Sequence, residues 1–246
     1  PCVFYMTVRC VQLHIILNGK PDTCEETSLS ALAAARGSGR EITIVNGFAT
    51  SDDLPLHEGD EIYFIPKDRL PPRDALEAMM CSRHTPRVHH KVRAGHVAIC
   101  GLGGLGSNAA IYLARTGVGH LHLLDFDTVD ASNLNRQSYM IRDLGSYKTD
   151  ALARQIRDIN PFIDVRTDCV RLNEENVPQL LKDDWIICEA FDNPDAKTML
   201  VHTILEQCPD KYIVSASGMA GYGDSNDIQT KKITSHFYIC GDQTRN

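Results

Sequence analysis

The stretch HVAICGLGGLGSNAAIYLARTG, residues 96–117, decides the fold of this chain. Its first five residues are mostly apolar, like a buried strand, and NAAIYLART (108–116) has the apolar spacing of a helix that Gly117 ends. Glycines between them let the backbone approach a phosphate, and the amides at a helix start attract its charge. The stretch therefore predicts the strand, turn and helix of a nucleotide-binding α/β domain. The turn glycines are Gly101, Gly103, Gly104 and Gly106.

Acidic side chains end the next predicted strand, HLHLLDFD (120–127). Asp125 lies about as far beyond the glycines as the carboxylate that accepts ribose hydroxyls in dinucleotide-binding folds, and Asp127 follows it. Proteins that use NAD, FAD or ATP all fit this pattern. The glycines and Asp125 therefore predict a nucleotide without identifying it.

A polar cluster with one arginine, DASNLNRQ (130–137), comes next, where a nucleotide phosphate would lie. Lys148 begins a predicted helix at 148–160, and Asp192 follows the apolar strand DWIICEAF. Because ligands of open α/β sheets bind outside the carboxyl ends of the strands, the polar side chains there should converge. These side chains are Asp125, Asn133, Arg136 and Asp192.

The composition limits the classes of protein that remain. The 246 residues are 43% hydrophobic and carry a formal net charge of −7, which indicates a globular fold without general affinity for nucleic acid or anionic membranes. The nine cysteines form no C-x-x-C pair, which disfavours a secreted disulfide scaffold and a zinc ribbon. No apolar run approaches the roughly 18 residues of a transmembrane helix. We therefore expect a cytoplasmic protein with no nucleic-acid or membrane partner.

Residues 1–68 predict a small separate domain with a β-β-α-β-β order. Its segments ITIVNGF and LHEGDEI resemble the β-grasp, ubiquitin-like sulfur carriers of the ThiS and MoaD kind. Such carriers act through a free C-terminal Gly-Gly, which this module lacks, so it is not itself the activated substrate. It either docks the true substrate or only stabilises the protein or a dimer. The predicted strands are 11–18, 41–47 and 61–66, and the predicted helix is 28–36.

Residues 69–93 are expected to form a basic linker to a large domain at 94–246. Within the linker, DALEAMMCS (74–82) has helical spacing. Three histidines follow within seven residues, but no thiolate or carboxylate cluster accompanies them, so a solvated linker is favoured over a metal site. The histidines are His84, His89 and His90.

Taken together, the motifs of the large domain resemble the ThiF/MoeB/HesA family, relatives of the ubiquitin-activating enzymes. They are GLGGLGSN, LLDFDTVDASNLNRQ, GSYK (145–148) and FDN (191–193), while RHTP (83–86) and ASGMAGYG (216–223) point to the compact ThiF-like branch. The resemblance covers about residues 83–240 and implies a Rossmann-like, mostly parallel adenylation domain. The reaction it implies uses ATP and Mg²⁺ to adenylate the C-terminal glycine of a ThiS-like sulfur carrier, with release of pyrophosphate, in thiamine biosynthesis.

The resemblance also implies roles for single residues. Arg136 and Lys148 would stabilise charge on the triphosphate, and Asp192 would position Mg²⁺. Arg83 matches the place from which the family sends an arginine toward the phosphates of a partner subunit, which implies a homodimer. A cysteine desulfurase is a further expected partner. The other implied nucleotide-binding residues are Gly101, Gly103, Gly104, Gly106, Asp125, Asp127, Asn133 and Gln137.

Two features depart from the fuller family pattern. Many members carry paired C-x-x-C zinc motifs, and none occurs here, so we expect no structural zinc. Some sulfur-transferring members use a cysteine in the loop after GMAGYG, whereas residues 219–232 contain none and Cys240 comes next. Adenylation is therefore better supported than a later thiolation step.

Three alternatives stay open. The same site serves other carboxylates, so a peptide terminus or a tRNA-linked carboxylate is one alternative substrate. An NAD-dependent dehydrogenase fits the glycines but leaves Arg136, Lys148 and Asp192 without a role. A binding protein without turnover, in which the fused module occupies the carrier site, is the third. Because an ionised carboxylate attacking phosphorus needs cations and a metal rather than a base, the residue types favour adenylation.

Overall fold

The computed structural model of the protein describes most of the chain and divides it into two compact units, 1–89 and 90–246. The domain limits given above, after residues 68 and 93, stay predictions. Arg83 and nearly all of the expected helix at 74–82 lie outside the described residues. The described residues are 12–36, 41–67, 70–73, 76, 86–217 and 228–242.

The first unit contains a five-stranded sheet in the order β2-β1-β5-β3-β4. Strands β1 and β5 are parallel, and the other neighbours are antiparallel. The order along the chain is the predicted β-β-α-β-β with one short strand more, β4. Its elements are β1 (Leu13–Leu17), β2 (Lys20–Cys24), α1 (Leu29–Arg36), β3 (Glu41–Val45), β4 (Phe48–Thr50) and β5 (Glu61–Pro66).

Asparagine–glycine pairs make both hairpin turns of this sheet. Asn18 and Gly19 join β1 to β2, Asn46 and Gly47 join β3 to β4, and all four have positive φ. Positive φ at both central residues matches the twist of the strands on either side. Behind the turns, one face of the sheet buries an apolar cluster against α1, formed by Ile15, Leu29, Leu32, Ile62 and Phe64.

The second unit contains a seven-stranded sheet in the order β11-β12-β10-β9-β6-β7-β8. All its neighbouring strands are parallel except β11 and β12. The helix α2 (Pro86–Arg93) crosses the division between the units. The remaining elements are β6 (His96–Cys100), α3 (Gly104–Thr116), β7 (His120–Leu124), α4 (Lys148–Ile159), β8 (Asp164–Asp168), α5 (Val177–Leu180), β9 (Ile186–Glu189), α6 (Pro194–Gln207), β10 (Tyr212–Ala216), β11 (Gln229–Lys232) and β12 (Phe237–Gly241).

Alternate residues of β6 enter two different cores. Val97 and Ile99 pack with residues of α3 and α4, whereas Ala98 and Cys100 pack with residues of α5 and α6 on the other face. Helices therefore cover both faces of a mostly parallel sheet, which confirms the predicted Rossmann-like architecture.

The strand order reverses at β6, which pairs with β7 on one side and with β9 on the other. The first connection leads through α3 and the chain returns to β9 only after β8, so a crevice opens at the carboxyl ends of β6 and β9. Within the described part of the chain, no helix is both long and apolar enough to cross a membrane.

Candidate active site

The glycine turn lies at this crevice and brings three backbone segments together. Gly101 has a φ of +91°, and a Cβ there would lie 2.8 Å from the ring of Phe191. A Cβ at Gly106 would lie only 1.8 Å from the carbonyl oxygen of Gly101. Only glycine therefore allows the turn to pack this closely on the start of α3.

The helix α3 begins at Gly104, earlier than the predicted start at 108. Its N-cap, Gly103, contributes no side-chain hydrogen bond, so no side chain caps the amides of the first turn. Uncapped amides at the positive end of a helix form a site for an anion. The first helical turn itself therefore supplies the amides for the predicted anion site.

Asp125 ties the end of β7 to the glycine turn. Leu102 N donates to Asp125 Oδ2 at 2.6 Å, and Asp127 N donates to Oδ1 at 2.8 Å. Each carboxylate oxygen keeps a second lone pair, so the group can still accept hydroxyl donors from a ligand. The predicted ribose residue is thus held in place by backbone amides.

Lys148, at the start of α4, lies between two carboxylates. Its Nζ is 2.9 Å from Asp127 Oδ2 and 4.0 Å from Asp125 Oδ2. Only 8% of the Lys148 side chain is exposed, so these anions compensate a charge that would be costly to bury alone. Lys148 N also donates to Asp127 O at 3.0 Å, which fixes the start of α4 beside the crevice.

Arg136 lies beside the first turn of α3, with its Cγ 3.5 Å from where a Cβ of Gly104 would be. Its Nη1 donates to Ser132 O and to Asn135 Oδ1, at 3.1 Å and 3.0 Å. Asn108 of α3 donates to the carbonyl of Arg136 at 3.0 Å, so the helix holds the segment that carries the arginine. The guanidinium keeps further N–H groups for an anion.

The two neighbouring amide residues differ in placement. Gln137 is buried and lines the crevice, and its Oε1 has no hydrogen-bond partner among the described residues. Asn133 Oδ1 instead accepts from Asp130 N at 3.0 Å in a reciprocal cap of the 3-10 turn at 131–133. Asn133 does not line the crevice, so the expected convergence holds for Asp125, Arg136 and Asp192 but not for Asn133.

Asp192 stands at the tip of the turn from β9 to α6 and is exposed to the crevice. The next residue, Asn193, caps α6, because its Oδ1 accepts from Ala196 N at 2.9 Å. This cap leaves the carboxylate of Asp192 outside the helix.

These side chains surround a cavity of about 430 Å³, which is large enough for a nucleotide. Gly106 supports the turn from behind, and Arg83 lies outside the described residues. A second cavity of about 490 Å³, lined by Ile111, Arg115 and Tyr139 among others, contains none of the predicted site residues. The predicted residues lining the first cavity are Gly101, Gly103, Gly104, Asp125, Asp127, Arg136, Gln137, Lys148 and Asp192.

Sequence reasoning missed two groups here. Arg171 lines the cavity with its guanidinium 5.4 Å from the ring centre of Phe126, a cation–π arrangement. Behind Asp192, the buried carboxylate of Glu189 accepts from Lys197 and Ser215. A glutamate inside an otherwise apolar strand was the signal for the second group.

The donor set fits ATP with Mg²⁺. The uncapped amides and the side chains of Arg136, Lys148 and Arg171 suit a polyphosphate nucleotide. Mg²⁺ is commonly held by one or two carboxylates together with substrate phosphates, so Asp192 would be the residue to hold it here. No three His, Cys, Asp or Glu side chains form a metal-binding group in the described ranges.

Cys100 and Cys188, in strands that lead to the cavity, are packed rather than activated. Burial raises the pKa of Cys188 to about 11, with the charge of Glu189 adding to the effect, and burial also raises the pKa of Cys100. Cys240 lies in β12 with its Sγ 3.3 Å from Thr230 Oγ1. A thiol with a raised pKa is a poor nucleophile near neutral pH, which disfavours Cys100 and Cys188 for sulfur chemistry.

Family models match both parts of the chain. Residues 77–245 match the ThiF family, and residues 13–68 match ThiS-like ubiquitin. The second match agrees with the sulfur-carrier resemblance of the small domain.

Curated relatives include two adenylyltransferases. The adenylyltransferase and sulfurtransferase uba4 of Emericella nidulans is 32% identical over 199 residues, which are 80% of this chain and 39% of the relative. The molybdopterin-synthase adenylyltransferase of Haemophilus influenzae is 37% identical over 131 residues, 53% of this chain and 52% of the relative. The chain thus spans about two fifths of the first relative's length and half of the second's.

Among solved structures, the chain is similar to the E. coli tRNA N6-threonylcarbamoyladenosine dehydratase TcdA. In complex with ATP, that protein matches with a TM-score of 0.58 and 28% identity, covering 63% of this chain and 64% of its own. Its complex with AMP gives the same TM-score and identity.

Proposed function

Because the chain belongs to the ThiF family, we propose that it is an adenylyltransferase that uses ATP and Mg²⁺ to activate the C-terminal glycine of a ubiquitin-like sulfur carrier. One observation carries the proposal: Lys148, Arg136, Asp192 and the uncapped turn of α3 face the same cavity. A hydride-transferring enzyme has no use for these cations and this carboxylate together.

In the proposed reaction, a carboxylate oxygen of the carrier bonds to the α-phosphorus of ATP and the bond to pyrophosphate breaks. Like charges approach and charge builds on the leaving group, so Lys148, Arg136 and the amides of α3 would stabilise the transition state. Bound Mg²⁺, held by Asp192, would supply further positive charge. Since the attacking carboxylate is already ionised, no side chain needs to act as a base.

The finer parts of the proposal concern partners. We propose a ThiS-like carrier ending in Gly-Gly, in thiamine biosynthesis, with a cysteine desulfurase as sulfur source. We also propose a homodimer in which Arg83 reaches the phosphates of the partner subunit. The ThiS-like match at residues 13–68 supports a carrier-related role, because a carrier-like module is fused to an activating domain.

A second candidate substrate is a tRNA-linked carboxylate. The similarity to TcdA, named as a tRNA-modifying dehydratase, favours it. The net charge of −7 counts against it, because tRNA binding generally needs a basic surface.

The test is carrier-dependent exchange of labelled pyrophosphate into ATP with Mg²⁺. ThiS-type and MoaD-type carriers ending in Gly-Gly and a threonylcarbamoylated tRNA would be offered separately. We expect exchange with a carrier, and loss of it on the order of a hundredfold in Asp192→Asn. Asp195→Asn, an exposed aspartate in the first turn of α6, is the matched control and should keep the exchange. Exchange only with the tRNA would support the second candidate, and ATP binding without any exchange would refute adenylation.

A further inference from the structure

Glu189 ends β9 in the middle of the seven-stranded sheet. Its register partners are Cys100 of β6 and Ser215 of β10. The side chain is 0% exposed. A carboxylate at such a place destabilises the fold unless its charge and its lone pairs are satisfied, so its partners are informative.

Three donors satisfy Glu189, one each from the turn after β9, from β10 and from α6. Phe191 N donates to Oε1 at 2.8 Å, and Ser215 Oγ donates to Oε2 at 2.5 Å. Lys197 of α6 donates to the same Oε2, also at 2.5 Å, and supplies the compensating charge. The network therefore joins β9, β10 and α6 behind the cavity.

The turn that this network encloses carries Asp192. One end of the turn is held by the bond from Phe191 N to Glu189, and the other by Lys197, whose own N donates to Asn193 O at 3.0 Å. Ala190 N donates to Cys100 O at 2.9 Å, so a backbone hydrogen bond holds the start of the turn at the end of β6. Bonds from Glu189 and Lys197 thus lie on both sides of Asp192 in the chain.

From these contacts we infer that Glu189 and Lys197 are positioning residues for Asp192, which tune the binding of Mg²⁺ with ATP without touching either. The inference rests on the proposed function only in taking Asp192 as the Mg²⁺ ligand. Partners of metal-ligating side chains often change metal affinity by about tenfold or more when they are replaced. Loosening the turn should therefore reduce the gain in ATP affinity that Mg²⁺ provides. The nucleotide contacts proposed for Lys148 and Arg136 should stay in place.

Calorimetric titration with ATP, once with Mg²⁺ and once with EDTA, measures that contribution as a ratio of two affinities. We expect Glu189→Gln and Lys197→Met to lower the ratio about tenfold, with the affinity in EDTA changed by less than about twofold. Lys197→Arg keeps the ion pair and should keep most of the ratio. Lys182→Met, on an exposed lysine, is the control for the loss of a positive charge.

Replacing a buried charge can unfold a protein, so Ser215→Ala is a second variant. It removes one donor, leaves the ion pair, and should lower the ratio about threefold. A purely structural role would lower the melting temperature and the fraction of protein able to bind while the ratio stays at its wild-type value. An unchanged ratio in folded Ser215→Ala and Glu189→Gln would overturn the inference. If the ratio falls but the wild-type protein shows no pyrophosphate exchange, the proposed function fails and the positioning role stands.

Discussion

The two edges of the seven-stranded sheet are built from different kinds of residue. At the carboxyl edge, the strands lead into Gly101, Asp125 and the turn with Asp192, and the helices α3, α4 and α6 begin there. At the amino edge, ring side chains contact one another across neighbouring strands. The ring centres of His120 and His96 are 3.9 Å apart, those of His96 and Trp185 4.7 Å, and those of Tyr212 and His236 4.5 Å.

This difference indicates that the carboxyl edge serves ligand binding and that the amino edge serves stability. At the carboxyl edge, the uncapped amides of α3 and the ammonium of Lys148 keep capacity for an outside ligand. At the amino edge, the rings pack on one another within the protein. Substitutions at the first edge should therefore change ligand binding, and those at the second should change only stability.

The largest expected effect is at Gly106. A Cβ there would lie 1.8 Å from the carbonyl oxygen of Gly101, so Gly106→Ala forces the glycine turn away from α3. We expect the free energy of unfolding to fall by more than about 3 kcal/mol and ATP binding to be lost. Gly103→Ala, where a Cβ meets nothing within 4 Å, should change stability far less. Urea denaturation measures the free energy of unfolding of the two variants. Equal values for both would contradict the close packing of Gly106 on Gly101.

Lys148→Met should come next. Removing this cation takes charge stabilisation from the triphosphate and leaves Asp127 without its partner, so pyrophosphate exchange should fall about a hundredfold or more. Lys182→Met makes the same replacement at an exposed position and should exchange at the wild-type rate. Comparable losses in both variants would mean that general charge, rather than this edge of the sheet, governs the reaction.

Between the edges, Cys188 should make stability depend on alkaline pH. Burial raises its pKa from 9.0 to about 11, so between these values the unfolded chain releases a proton that the folded chain keeps. The stabilisation that the buried, protonated Cys188 thiol contributes is therefore fully present below about pH 9. The free energy of unfolding should fall by on the order of 2 kcal/mol as the pH rises from about 9 to about 11. In urea denaturation at both pH values, Cys188→Ala should lose less stability than the wild type over this interval. An identical loss in both proteins would exclude this thiol as the cause.

The smallest expected effect lies at the amino edge. Trp185 is half exposed and its ring packs at a tilt against the ring of His96, so Trp185→Ala should cost about 1 kcal/mol of stability. Its affinity for ATP, measured by calorimetry, should equal that of the wild type. A weakened affinity for ATP would show that the amino edge also affects ligand binding at the carboxyl edge.

Patterns that depend on near neighbours in sequence were predictable. Apolar periodicity gave the strands around residues 96–100 and 120–124 and the helix from Lys148, and the sheet-edge rule brought together Asp125, Arg136 and Asp192. The predicted start of α3, at residue 108, is later than the observed start at Gly104. Glycines have low helix propensity, and the first turn contains two of them.

Features that depend on distant partners were not predictable. The role of Glu189 became visible only with Ser215, which is 26 residues away in the chain, and with Lys197 on the far side of a turn. Asn133 has the right position in sequence, but its amide is used in a local cap that competes with any ligand. β4 is too short, at three residues, for a periodicity to show.

The ion pair of Lys148 and Asp127 has a consequence for how a nucleotide enters and leaves. The ammonium already has an anion at 2.9 Å, so a phosphate that binds Lys148 competes with the Asp127 carboxylate for its positive charge. Under the proposed function, the three N–H donors of the Lys148 ammonium would be shared between Asp127 and the nucleotide. Because the carboxylate lies beside it, the buried lysine has a compensating charge before a nucleotide binds and after pyrophosphate leaves.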